Sequence, residues 1–427
     1  MMTRCHPGYR RMRLFSIPGL ALFMLSPVLA WATPENSVTT TALLERAAER
    51  HPAVATARMA LEQAEALRRG EVSWPDPDLE GRLLWDGNGE TELEAALRFA
   101  IPWGGRLFAS RRAADLEVAL ARLDLATARH GAMVQAERLL ARLAWARARA
   151  ELHQALADRS SEQADLARRR RDASLADPLE VSLVLADAAR DRRALIESNN
   201  HETSIRAELL LLAQLPPETS IEAPPLSRVP ETRNREALLE LARTRTPELA
   251  AARLRLEQAE ERASAAKRAR IPDLRLGPAL TRDGGGTSWG LSVGIPLPLF
   301  GRTRAGLDAA RAAHRGAEES LALERLALPV QVDLLLERLQ ALEHQLAELG
   351  GDTADAAEQA YRLARARWNS GKLDVLHLIS AHRAFAEIRI ERLDTLLQLR
   401  ETWLDLSLAV GMPLDGMDDR AVTESGQ

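Results

Sequence analysis

The chain has 427 residues, of which 46% are apolar and 28% charged. That balance excludes wholesale disorder, and the net charge of −4 argues against a nucleic-acid binder, which needs a basic face. A single cysteine, Cys5, excludes a disulfide scaffold and a cysteine-based metal site, while 4% aromatic residues is thin for a compact core but normal for long helical hairpins.

Residues 1–32 read as an export signal. Arg10, Arg11 and Arg13 form a basic region, Leu14 to Leu29 an apolar stretch broken by Pro18 and Pro27, and Ala30-Trp31-Ala32 a small-x-small cleavage pattern. Losing the four arginines of this segment takes the net charge from −4 to −8. Cys5 lies before the apolar stretch, so it does not mark a lipidation point. No later window offers 18 uninterrupted apolar residues, so any membrane residence must rest on something other than apolar helices.

The remainder repeats itself. Ala42-Leu43-Leu44-Glu45 recurs as Ala237-Leu238-Leu239-Glu240, Leu61-Glu62-Gln63-Ala64-Glu65 as Leu256-Glu257-Gln258-Ala259-Glu260, and Pro77-Asp78-Leu79 as Pro272-Asp273-Leu274. Ile101-Pro102 and Gly105-Arg106 answer Ile295-Pro296 and Gly301-Arg302 in the same order. A collinear series whose offset stays within a residue of 195 is a tandem duplication whose period is too long for a solenoid. It divides the chain into a first repeat at 33–213, a proline-rich linker at 214–236, a second repeat at 237–414 and a flexible tail at 415–427.

Each repeat is expected to begin with a helix of about 30 residues, Thr39 to Val72 and Arg235 to Arg270. β-Hairpins follow at 78–102 and 273–298. Leu79, Leu83 and Trp85, then Leu93, Leu97 and Phe99, alternate with Glu80, Arg82, Glu94 and Arg98. Trp289, Leu291 and Val293 alternate with Gly290, Ser292 and Gly294, whereas Asp273 to Thr281 alternates less cleanly. Asp86-Gly87-Asn88-Gly89 and Asp283-Gly284-Gly285-Gly286 are the turns. Long helical regions then run from Arg106 to Arg171, Pro178 to Ala213, Arg302 to Asn369 and Leu373 to Gly411. Pro329 should kink the third, and Gly350-Gly351 is a second point of interruption.

Strands of about 9–11 residues match the length a tilted strand needs to cross a bilayer. In lipid four strands with free edges cannot stand alone, so a barrel must be shared: two chains supply about eight strands, three about twelve. Leu83, Trp85, Leu97, Phe99, Trp289, Leu291 and Val293 are expected to face lipid, and the polar alternates to line water.

This plan resembles the TolC-type outer-membrane efflux factor family. The resemblance rests on the signal, the duplicated helix–hairpin–long-helix order, the Pro-Asp-Leu strand starts, the Ile-Pro…Gly-Arg strand exits and the His51-Pro52 and Thr246-Pro247 dipeptides. Glu90-Thr91-Glu92 through Gly105-Arg106, with Ile295-Pro296-Leu297-Pro298-Leu299-Phe300, is similar to the heavy-metal (CzcC/CusC-like) branch. The resemblance implies a mainly α fold with a small β part. In it, a homotrimer forms a 12-stranded outer-membrane β-barrel continued by a periplasmic α-helical barrel. It implies a passive channel in a tripartite efflux system, exporting heavy-metal cations, docked to a periplasmic adaptor and an inner-membrane pump of the resistance–nodulation–division class.

The hairpin tips break the helical pattern. Ser370-Gly371 suits a tight turn, Asp374 the start of the returning helix, and Asp177-Pro178 an N-cap and first helical residue. The resemblance makes Arg171, Ser174, Asp177, Ser370, Gly371 and Lys372 the adaptor-docking tip, and Asp374 and His377 the periplasmic gate, with His377 able to titrate near neutral pH. No catalytic residue, metal site or cofactor is expected. Gly286-Thr287-Ser288-Trp289-Gly290 fits G-x-S-x-G but opens a strand, and His377 and His382 are five apart, not on one helical face. The alternative reading is a soluble periplasmic coiled-coil adaptor or scaffold.

Overall fold

A computed structural model describes residues 37–85, 91–226, 234–283, 285–297 and 301–411. The expected signal segment, the 86–89 turn, Gly284, Pro298 to Phe300, part of the linker (227–233) and the tail lie outside the described residues. Elements follow in chain order as β1 (Ser37–Val38), α1 (Thr40–Arg50), α2 (Pro52–Val72), β2 (Asp78–Trp85), β3 (Thr91–Ile101), α3 (Arg106–Asp172) and α4 (Pro178–Leu212). The second half runs β4 (Ser220–Ile221), α5 (Arg235–Arg245), α6 (Pro247–Arg268), β5 (Leu274–Asp283), β6 (Gly286–Gly294), α7 (Arg302–Glu348), α8 (Gly351–Asn369) and α9 (Val375–Val410). The described residues make one unit.

Three expected helices are broken, each for a local reason. The segment from Thr39 to Val72 is two helices, because a residue before proline is pushed out of the α region: His51 has ψ 136°. Its Nδ1 accepts from the Ala53 amide at 3.1 Å and starts α2 anew. Thr246 before Pro247 does the same in the second half, with ψ 121°, and its hydroxyl donates to the Ala409 carbonyl at 3.1 Å. The third break separates α7 from α8, where Gly350 is extended and Gly351 left-handed at φ 52°. By contrast α7 continues through Pro329. Helix α3 is unbroken over 67 residues, a rod of about 100 Å at about 1.5 Å per residue. Within the linker region, β4 pairs in parallel with β1, Val38 opposite Ile221.

The duplicated apolar positions become equivalent cores. Leu43, Leu44 and Ala47 of α1 bury against Leu139, Leu140 and Leu143 of α3 and Leu209 of α4. Leu238, Leu239 and Ala242 of α5 bury against Leu339 of α7 and Leu399, Leu404 and Leu406 of α9. A third cluster joins the far ends of α3, α4, α8 and α9 around Trp368, Tyr361, Leu378 and Phe385.

The four longer strands form one antiparallel sheet in the order β2-β3-β5-β6. Pairing between β3 and β5 runs from Leu93↔Arg282 to Ala96↔Ala279 and resumes at Phe99↔Leu276. The gap falls opposite Gly277 and Pro278. Proline has no amide to donate, and a Cβ on Gly277 would lie 1.7 Å from the Leu97 carbonyl oxygen. That close approach accounts for the weak alternation of this strand.

Candidate functional site

Two regions carry unusual side-chain placements, the sheet and the far ends of the helical hairpins. In the sheet, register brings Leu79 opposite Leu97, Leu83 opposite Leu93, Leu276 opposite Val293 and Leu280 opposite Trp289. All seven side chains expected to meet lipid are exposed in the single chain: Leu83, Trp85, Leu97, Phe99, Trp289, Leu291 and Val293, with Trp289 at 78%. The opposite face is charged and internally paired. Arg98 pairs with Glu80, Arg82 with Glu94 at 3.6 Å, and Arg275 with Asp78 at 3.2 Å. Thr281 and Ser292 join Glu80, Arg82, Glu94 and Arg98 around a hollow of about 290 Å³ on this face. Among the described residues β2 and β6 each have one strand neighbour, leaving their outer backbone edges unpaired.

An exposed apolar sheet face above a paired polar face is inside out for a water-surrounded domain. Among the described residues no helix is long and apolar enough to cross a membrane.

The tips are built differently. Helix α3 ends in a Schellman turn: the Leu175 amide donates to the Arg170 carbonyl at 2.7 Å and the Ser174 amide to the Arg171 carbonyl at 2.8 Å. Ser174 is left-handed at φ 58°. Helix α8 ends in the same turn, Lys372 donating to Arg367 at 2.9 Å and Gly371 to Trp368 at 2.9 Å, with Gly371 at φ 71°. Ser370 donates its hydroxyl to the Arg367 carbonyl at 3.0 Å. Asp177 accepts from the Leu179 amide at 3.0 Å and Asp374 from the Leu376 amide at 2.9 Å, capping α4 and α9. Arg171 is exposed and pairs with Asp172 at 3.0 Å; Lys372, Asp374 and His377 are exposed.

Residues that sequence reasoning passed over tie the two tips together. Trp368 is fully buried, and its Nε1 donates to Glu180 Oε1 at 2.8 Å. Arg170 lies over the Trp368 ring at 5.3 Å, donates to the Trp368 carbonyl at 3.1 Å and stands 3.6 Å from Glu180. One indole, one guanidinium and one carboxylate from three helices thus satisfy one another.

Farther from the tips, α3 and α9 carry an ion-pair ladder: Arg138 with Asp405, Arg142 with Glu401 at 2.7 Å, and Arg149 with Asp394 at 3.1 Å. Between ladder and tips, His382 Nε2 lies 2.8 Å from Asp191 Oδ2 and Arg383 donates to Asp187 at 3.0 and 3.1 Å. Burial raises the Asp191 carboxyl, but the hydrogen bond and charge of His382 and a Ser160 hydroxyl outweigh it and hold the group below the ordinary carboxylate value. Burial lowers His153 nearby, and the Arg149 charge adds to that. Asp187, Asp191 and His382, none of them expected to meet, place one ligand-capable atom each within 4.8 Å of the others. The i,i+4 spacing of the two aspartates was readable, but the histidine arrives from a helix 191 residues later.

The profile of the family described as outer membrane efflux protein matches residues 238–412. The chain is 26% identical over 403 residues to the cobalt-zinc-cadmium resistance protein CzcC of Cupriavidus metallidurans, covering 90% of this chain and 96% of that one. Its fold is similar to that of the outer membrane protein VceC of Vibrio cholerae, with a TM-score of 0.73 and 22% identity over 87% of this chain and 96% of that one. It is similar also to CusC, described as forming a transmembrane channel, with a TM-score of 0.74 and 16% identity over 88% and 92% of the two chains.

Proposed function

We propose that the chain is the outer-membrane conduit of a tripartite efflux system, a reading supported by the outer membrane efflux protein profile over residues 238–412, the likeness to CzcC and the shared fold. In this reading three copies pair β6 of one chain with β2 of the next and close a barrel of about twelve strands. The observation that carries the reading is the inverted sheet: an exposed apolar face, a charge-paired face, and two open edges. Closure would satisfy the edges, lipid would take up the leucines and tryptophans, and Glu80, Arg82, Glu94 and Arg98 would line the water side.

The helical part then extends into the periplasm and ends at the tips. Arg171, Ser174, Asp177, Ser370, Gly371 and Lys372 form the surface offered to a periplasmic adaptor, which couples the conduit to an inner-membrane pump of the resistance–nodulation–division class. Asp374 and His377, both exposed at the start of α9, form the gate ring. The likeness to a cobalt-zinc-cadmium resistance protein supports heavy-metal cations as cargo. The conduit itself is passive, and energy enters at the pump.

Fractionation tests the conduit: a heat-modifiable oligomer in the outer membrane is expected, and a soluble periplasmic monomer rejects it. Deletion in the native host tests the cargo. Tolerance to zinc, cobalt and cadmium should fall with drug tolerance unchanged, and the opposite pattern would assign an organic cargo.

A further inference from the structure

Helix α4 places Asp187 and Asp191 four residues apart, so both carboxylates leave one face. His382 of α9 meets them from the other hairpin, and one ligand-capable atom of each residue lies within 4.8 Å of the other two. The cluster is interior: His382 is 1% exposed and Asp187 6%. His382 bonds Asp191 through Nε2 at 2.8 Å, whereas its Nδ1 is buried and has no hydrogen-bond partner among the described residues. The nitrogen that faces the carboxylates is Nε2, so it is the one an ion shared with them would take, the proton between it and Asp191 leaving as the ion enters. Around it stand Arg383 on Asp187 and the Tyr361 ring 5.2 Å from His382.

We propose that Asp187, Asp191 and His382 form a binding site for a divalent transition cation of the zinc or cobalt class, with Arg383 as the displaceable cation that holds Asp187 otherwise. The donor set decides the class. Two carboxylate oxygens and one imidazole suit zinc-like ions; calcium and magnesium take oxygen alone, and copper(I) prefers thiolate or thioether. Charge balance agrees. Arg383 bonds Asp187 and the Arg190 charge acts on Asp191, so exchanging Arg383 for a divalent ion keeps the two carboxylates compensated. Arg383 is free to leave, since its side chain is 54% exposed. Ligands about 2.0 Å from a tetrahedral ion stand about 3.3 Å apart, so the hydrogen-bonded His382–Asp191 pair at 2.8 Å opens slightly on binding, and a fourth position remains for water. The bound ion would tie α4 of the first hairpin to α9 of the second. The inference does not rest on the channel reading, because a cation site in the helical hairpins stands or falls without any barrel.

The test titrates the full-length, detergent-purified protein with zinc chloride alone, by calorimetry and by metal analysis after gel filtration. One zinc per chain is expected. Asp191→Asn and His382→Gln should each weaken binding at least about tenfold, the scale on which even supporting groups act. Arg383→Gln should tighten it about tenfold, because it removes the competing cation; a purely structural ion pair would give no such gain. Circular dichroism and oligomer size identify any variant that fails to fold, and the Arg383→Gln arm decides the matter if His382→Gln does. Absence of saturable zinc uptake by the wild type, or unchanged affinity in Arg383→Gln, overturns the site.

Discussion

In the sheet, apolar side chains point outward and the charges pair on the opposite face; at the tips, an indole is sealed inside and every charge beside it has a partner. Among the described residues the sheet is therefore incomplete, since none of them pairs its outer edges or covers its apolar face. The tip junction is complete, because Trp368, Arg170 and Glu180 answer one another across three helices. On the proposed reading the first surface is where sister copies and lipid belong, whereas a self-satisfied junction is where one chain holds its own shape. That contrast separates assembly from internal stability, and mutations should separate them too.

The largest expected effect is at the tip junction. Trp368→Ala empties a fully buried site and should destabilise the helical part by about 3–5 kcal/mol, read as a lower unfolding midpoint of the detergent-solubilised protein. Leu97→Arg, in the sheet, should leave helix content unchanged yet abolish assembled oligomer in outer membranes, at about 2–4 kcal/mol for a charge near mid-bilayer. If Leu97→Arg instead lowers the midpoint and spares assembly, the two regions are not separable in this way.

Smaller effects refine the tip side. Ser174 and Gly371 occupy equivalent left-handed positions, but only the serine carries a Cβ there. Ser174→Gly should stabilise the first tip by about 1 kcal/mol, visible as slower hydrogen exchange at the end of α3. For Asp191 the sign follows from its depressed carboxyl. Its contribution is full above the ordinary value of 3.8 and is lost as pH falls through the lower folded value, so Asp191→Asn should flatten the acid limb of the stability profile. The smallest expected change is at His377, which is exposed: His377→Ala should alter the conductance profile recorded in planar bilayers. Superimposable profiles would remove it from the gate.

Much of this architecture can be read from the chain because it is written in local periods. Alternation over Thr91 to Ile101 gives the strand faces, and Asp177-Pro178 and Asp374 announce the helix starts they cap. What escapes is set by direction and by distance along the chain. Arg168 to Arg171 are four arginines in a row; Arg170 turns in at 19% side-chain exposure while Arg171 stays out at 50%, and only the packing of α8 decides between them. Glu180 looks like an ordinary first-turn acid until Trp368 arrives from 188 residues away. Gly277 reads as a weak strand residue because its reason, the Leu97 carbonyl, belongs to another strand.

The claim that the sheet is finished only by sister copies is tested most directly by native mass spectrometry of the mature protein extracted from outer membranes. Three chains per particle, stable in detergent and insoluble without it, is the predicted result. A single chain that stays monodisperse in detergent-free buffer would contradict it.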